Sequence, residues 1–178
     1  AKLGTASVSP EELLTAVSPP PGATDNVLGE TGLATVLGDL RAEGQRIVMT
    51  NGCFDLIHLG HVRYLQQARA LGDVLVVAVN DDDSVRRLKG ERRPVNTLDD
   101  RIAVLAALGA VDYAVSFSED TPARLIEALA PDVLVKGGDY AVEQIAGHES
   151  VLARGGEVRV LDFVDGHSTS GLIERLND

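Results

Sequence analysis

The chain has 178 residues, 44% hydrophobic and 24% charged, the composition of a globular domain of ordinary size. Its 16 Lys and Arg against 27 Asp and Glu leave a formal charge of −11, which repels nucleic acid and anionic membrane surfaces but leaves room for a local basic spot. Cys53 is the single cysteine, which excludes a disulfide framework and a cysteine-cluster zinc site, and no apolar run reaches the ~20 residues of a membrane span.

Residues 1 to about 30 differ in character from the rest of the chain. Ser18-Pro19-Pro20-Pro21-Gly22 breaks any regular element and reads as linker. Ahead of it, residues 8–17 predict one short helix with Ser9 as cap and Pro10 at its first position. One such helix cannot bury itself, so it is expected to belong to an upstream body. The chain opens on Ala1 rather than Met and carries no signal peptide, from which we expect a fragment or processed start of a cytoplasmic protein. A second unit is expected from residue 31 to 178.

In that unit Leu33, Val36, Leu37 and Leu40 recur at helical spacing and stop before Gly44. Five short Val-rich runs follow, at 47–50, 74–80, 113–117, 133–136 and 158–163; they lack alternation and read as strands covered on both faces. Between them Val62, Leu65, Ala68 and Leu71 line one helical face closed by Gly72. Thr97 is expected to cap a helix carrying Ile102, Leu105 and Leu108. Thr121 is expected to cap another, with Pro122 at its first position and Leu125, Ile126 and Leu129 behind. Strands alternating with helices predict an α/β, Rossmann-like, doubly wound parallel sheet of five strands, whose ligands bind beyond the carboxyl ends of the strands.

After the first strand comes Thr50-Asn51-Gly52-Cys53-Phe54-Asp55-Leu56-Ile57-His58-Leu59-Gly60-His61, leading into a helix. Gly52 and Gly60 permit sharp turns and close approach of backbone to a ligand. His61 falls in the first helical turn, where free N–H groups and the dipole favour an anion, and His58 precedes it by three residues, so both imidazoles can face one site. A lone histidine is better read as a satisfied core residue. Two that bracket a glycine at a strand-to-helix turn favour a ligand. No metal ligands are assigned: zinc is disfavoured, because no Glu completes an H-E-x-x-H pattern and no cysteine set exists. Neither a Walker loop nor a G-x-G-x-x-G fingerprint is present.

This segment resembles the H-x-G-H signature of the cytidylyltransferase-like nucleotidyltransferases. Lys89-Gly90 ahead of Pro94-Val95 resembles that family's lysine loop, Arg101 opens the next helix as a family arginine does, and Asp165-Gly166-His167-Ser168-Thr169-Ser170 resembles its closing G-I-S-T-S/T element. His167 stands at the variable position. NGCFDLIHLGHV, RLKGERRPVN, LGAVDYAVSF, EDTP, LVKGGDY and GGEVRVLDF together look like the branch that converts heptose 1-phosphate to ADP-heptose. In many bacteria that domain follows a ribokinase-like heptose kinase, and residues 1–17 resemble the end of such a kinase.

The resemblance implies attack of a sugar 1-phosphate on the α-phosphate of ATP, with Mg²⁺ and release of pyrophosphate. It assigns His58, His61 and Lys89 to catalysis. It assigns Thr50, Asn51, Gly52, Phe54, Asp55, Gly60, Arg101, Lys136, Gly138, Asp139, Ser168 and Thr169 to nucleotide binding. Lys89 lies in 86–93, five Lys or Arg in eight residues: either a loop closing over ATP or a solvated surface run. Ser168 and Thr169 hold phosphates, cap a helix carrying Leu172, Ile173 and Leu176, or do both. Arg101 is a phosphate contact or a surface residue, and Asp55 orients a histidine, stands near Mg²⁺ or bonds its own turn. Cys53 is read as a small core residue, and Asp81–Asp83 and His148 as surface. Relatives of this kind are often homodimers, with the 31–44 helix a candidate interface. A cytidylyltransferase acting on glycerol 3-phosphate is the alternative, though such relatives carry an arginine and an aromatic where this chain has Gly109-Ala110. A catalytically silent nucleotide-binding module is the third reading.

Overall fold

The computed structural model describes residues 26–162. The expected 8–17 helix, the proline linker, Phe163 and the Ser168-Thr169 element lie outside those residues. The elements run α1 (Glu30–Ala42), β1 (Ile47–Gly52), α2 (Leu59–Arg69), β2 (Val74–Asn80), α3 (Asp82–Lys89) and α4 (Leu98–Ala106). They continue with β3 (Tyr113–Phe117), α5 (Ala123–Leu129), β4 (Val133–Gly137), a 3-10 turn (Val142–Gln144), α6 (His148–Ala153) and β5 (Glu157–Leu161).

All strand pairs are parallel, in the order β3-β2-β1-β4-β5. Strand periodicity sorts the core into two layers. Ile47 and Met49 of β1 and Val74, Val76 and Ala78 of β2 face Leu33 and Leu37 of α1, Leu125, Ile126 and Leu129 of α5, and Val151 of α6. Val48 and Leu75, Val77 and Val79 face Leu65 and Ala68 of α2 and Ile102 and Leu105 of α4. The sheet is therefore doubly wound, with helices on both faces. The apolar side of α1 is spent on this core.

At the amino ends of the strands, carboxylates take the open backbone N–H groups: Asp132 accepts from Ile47 and Asp112 from Leu75, each at 2.7 Å. The carboxyl ends are left for other uses. Because the chain moves outward from β1 to β3 on one side and then starts again at β4 on the other, the order reverses between β1 and β4. That switch point is where such sheets bind ligands.

Two expectations need correction. Only β2 is buried along its whole length; β5 is outermost, pairs with β4 and has no fully buried residue. Thr121 does not cap α5: the helix begins at Ala123 and Pro122 takes the capping position, its carbonyl accepting from Ile126 at 2.8 Å. Ahead of α1, the Leu28 N–H donates to the Ala114 carbonyl of β3 and the Ala114 N–H to the Asn26 carbonyl.

Candidate active site

The carboxyl ends of β1, β2 and β4 open into a cleft of about 560 Å³. β1 delivers Asn51 and Gly52 to its floor, and the turn after it delivers Phe54 and His61. Phe54 holds a left-handed backbone, φ 47°, which a bulky residue adopts only where its surroundings enforce it. Its ring is buried against His61, centroids 5.5 Å apart, and passes so close to Gly52 that a Cβ there would stand 3.0 Å from it. A side chain at Gly52 would thus crowd the Phe54 ring.

His58 is the residue preceding α2, and its ring stacks on that of His61 with centroids 3.9 Å apart. The His58 backbone N–H donates to His61 Nδ1 across 3.4 Å. His61 lines the cleft, at the third position of α2. Burial, and secondarily the charge of His58, push its pKa down to about 4, so it stands neutral at pH 7. A neutral imidazole with Nδ1 accepting presents Nε2–H as a donor. It lies beside the first-turn N–H groups of α2, whose dipole favours negative charge.

Lys89 is the last residue of α3, not part of a loop. Asp81 caps that helix by accepting from the Ser84 N–H at 2.7 Å, and the helix holds until Gly90, whose φ of 95° lets the chain leave. The basic run is largely committed. Arg86 pairs with Asp83, Arg87 reaches Asp120 and the Ser118 carbonyl at 2.7 and 2.6 Å, and Arg93 pairs with Asp55. Lys89 makes no ion pair among the described residues, and neither does Lys136 at the end of β4. Both line the cleft. Burial lowers the pKa of Lys136, and the positive charge of Lys89 adds to the effect. Two cations that repel one another across a cleft, whose carboxylates Asp55 and Asp120 are already paired with Arg93 and Arg87, make a place for an anion.

Other predicted contact residues have partners within the fold. Thr50 is fully buried, its hydroxyl bonded to that of Tyr64 at 2.6 Å, so it lies beneath the floor. Arg101 is not a surface residue: it is 1% exposed, and its guanidinium is bonded to the carbonyls of Asn96 and Cys53 and to Asp82. Asp55 holds the 93–96 segment. Its buried carboxylate accepts from the N–H groups of Val95 and Asn96 at 2.7 and 3.0 Å and pairs with Arg93. Gly60 is buried in the first turn of α2. Gly138 donates its N–H to the Leu161 carbonyl at the end of β5, and Asp139 is exposed outside the cleft. Cys53 is half-buried at the cleft rather than in the core, with burial raising its thiol pKa. Asp81 and Asp82 are bonded as cap and ion-pair partner rather than idle surface.

Sequence reasoning missed Asn80, Asp120 and Tyr140 of the cleft wall. Asn80 had a signal, as the polar residue ending an apolar strand; its amide donates to Ser84 Oγ at 2.9 Å. A larger hollow, about 650 Å³, opens at the other end of the sheet. Two of its three arginines are spent, Arg41 on the Ala130 carbonyl at 3.0 Å and Arg46 on Glu157 at 2.9 Å.

A parallel sheet with a cleft lined by two lysines at its switch point, entered by an H-x-G-H turn, defines a nucleotidyltransferase-type fold. The chain belongs to the cytidylyltransferase-like family, whose model matches residues 49–175. It is 62% identical over 175 residues to the Bifunctional protein HldE of Alkalilimnicola ehrlichii, covering 98% of this chain and 37% of that protein. The protein of the same name from Azotobacter vinelandii is 58% identical over the same share of each. The chain thus spans little more than a third of the length of these curated relatives. Among solved structures, the lipopolysaccharide core biosynthesis protein of Thermoplasma volcanium is 31% identical with a TM-score of 0.55, over 68% of this chain and 98% of that one. Pantoate-beta-alanine ligase of Francisella tularensis shares the fold, with a TM-score of 0.57 at 15% identity over 82% and 69% of the two chains.

Proposed function

We propose that this domain is an adenylyltransferase acting on heptose 1-phosphate. A phosphate oxygen of the sugar attacks the α-phosphorus of ATP, the bond from that phosphorus to the bridging oxygen breaks, and ADP-heptose and pyrophosphate leave. The observation that carries the reading is the meeting of the His61 N–H, the α2 N-terminus and two lysines without acid partners in a chain of charge −11. The 62% identical relative supports the choice of branch within the family.

The nucleophile is a phosphate monoester with a second pKa of about 6, already largely ionised at pH 7, so no general base is needed. Catalysis then reduces to alignment and charge stabilisation. Neutral His61 donates from Nε2 to an α-phosphate oxygen and gains strength as charge grows there. His58 sets the ring of His61 and its tautomer. Lys89 and Lys136 neutralise the phosphates and hold the two reactants together.

Mg²⁺ accompanies ATP in this reading. Among the described residues no three His, Cys, Asp or Glu stand together as a metal site, and the cleft carboxylates Asp55 and Asp120 are held by Arg93 and Arg87. These residues do not fit a protein cage for the ion. It enters with the nucleotide, held by its phosphates. We also place the domain in the cytoplasm, downstream of a sugar kinase unit in a longer, bifunctional protein. No helix among the described residues is long and apolar enough to cross a membrane.

The test is pyrophosphate release with Mg²⁺, crossing ATP, CTP and GTP against heptose 1-phosphate and glycerol 3-phosphate. Turnover confined to ATP with heptose 1-phosphate supports the proposal. Turnover with CTP and glycerol 3-phosphate moves the domain to a sibling activity, and folded protein inert with every pair overturns it in favour of a binding module.

A further inference from the structure

We infer that Asp82 and Arg101 form a positioning pair that sets Lys89 against His61, an inference that rests on the reading of Lys89 as a phosphate ligand. Arg101 is fully buried, and three of its N–H groups reach three separate segments around the cleft. Nη1 donates to the Cys53 carbonyl at 2.5 Å, Nε to the Asn96 carbonyl at 3.1 Å and Nη2 to Asp82 Oδ1 at 2.8 Å. A guanidinium is planar and its donors leave in fixed directions, so the three acceptors are locked in one relative geometry.

Two of those acceptors lead to the chemistry. Cys53 precedes Phe54, whose ring packs on His61. Asp82 is the first residue of α3, and Lys89 is the last. A helix is stiff, so the position of Asp82 is carried over about 10 Å to Lys89 at ~1.5 Å per residue. Asp82 is the sole acid partner of Arg101 among the described residues. Its neighbour Asp83 is 77% exposed and pairs with Arg86 inside the same helix. The two aspartates therefore share charge and neighbourhood while differing in what they hold.

The fold has other ties on α3. Asp81 caps it, Ser84 Oγ donates to the Glu119 carbonyl at 3.1 Å, and Arg87 reaches Asp120. Loss of the Asp82 carboxylate is expected to shift α3 rather than melt it. This makes Asp82→Asn a cleaner probe than replacement of the buried Arg101.

The experiment measures kcat, KM and the unfolding midpoint for Asp82→Asn, Asp83→Asn, Lys89→Ala and the Asp82→Asn/Lys89→Ala double variant. We expect Asp82→Asn to lower kcat about tenfold or more with acceptor KM within about twofold, since misplacement by about 1 Å carries that cost. Asp83→Asn should retain the wild-type kcat. In the Lys89→Ala background Asp82→Asn should cost less than about twofold, because a residue acting through Lys89 has nothing left to position. A wild-type kcat in Asp82→Asn while Lys89→Ala is slow overturns the inference and leaves the reading of Lys89 standing. Losses that multiply in the double variant overturn it too. A Lys89→Ala protein as fast as wild type removes Lys89 from the mechanism, and the inference with it.

Discussion

The backbone N–H of His58 points at Nδ1 of His61 across 3.4 Å, and that bond decides which imidazole nitrogen carries the proton. With Nδ1 accepting, neutral His61 holds its hydrogen on Nε2. The ring that lines the cleft is therefore set as a donor before any ligand arrives.

Its titration should show this. The ordinary histidine pKa is 6.5 and that of His61 lies at about 4, through burial first and the charge of His58 second. The Cε1–H resonance of His61 should hold its neutral position from pH 8 to about 5, with a midpoint near 4. Between the two values the unfolded chain binds the extra proton, so stability from this group is full above pH 6.5 and is lost as pH falls toward 4. His61→Gln should flatten that part of the unfolding midpoint against pH. A midpoint near 6.5 in the NMR titration would contradict the burial argument.

Replacement of His61 by alanine should lower kcat by about 100-fold or more with modest loss of ATP affinity, because its bond strengthens in the transition state. Single-turnover kinetics beside equilibrium ATP binding separate the two. A variant that keeps its rate would take His61 out of the chemistry.

Lys136 carries a charge into a half-buried site with another cation facing it. Lys136→Met should therefore leave the unfolding midpoint equal to or above that of wild type while raising the KM of a phosphate substrate about tenfold or more. Calorimetry and initial rates check both halves. A lower midpoint with unchanged KM would make Lys136 structural.

Thr50, expected at the nucleotide, lies under the floor instead, bonded to Tyr64, whose own pKa burial pushes up to about 12. Thr50→Val should cost about 1 kcal/mol, the net worth of one such bond, and lower the midpoint by roughly 3–5 °C. The KM for ATP should not move. A selective rise in that KM would return Thr50 to the binding surface.

What the sequence by itself determined is local. Alternation of Val-rich runs with helical stripes predicts the five strands and the doubly wound class. Thr97 caps α4 as expected, its hydroxyl accepting from the Asp100 N–H at 3.3 Å, because that bond spans three residues. The Gly52-to-His61 turn stands out for the same reason: strand end, glycines and helix start are neighbours in the chain. Membership of the family is likewise legible, since its motifs are contiguous. Tertiary structure decided the rest. Nothing near Arg101 says that it ties Cys53, 48 positions away, to Asp82, 19 positions away, and nothing near Asp55 names Val95 as its partner. A buried charge takes whichever acceptors folding brings within reach, and until the strands take their order β3-β2-β1-β4-β5 those acceptors are not neighbours. Residue type announced the charges; only the packed sheet brought Lys89 and Lys136 to one cleft with no ion pair among the described residues.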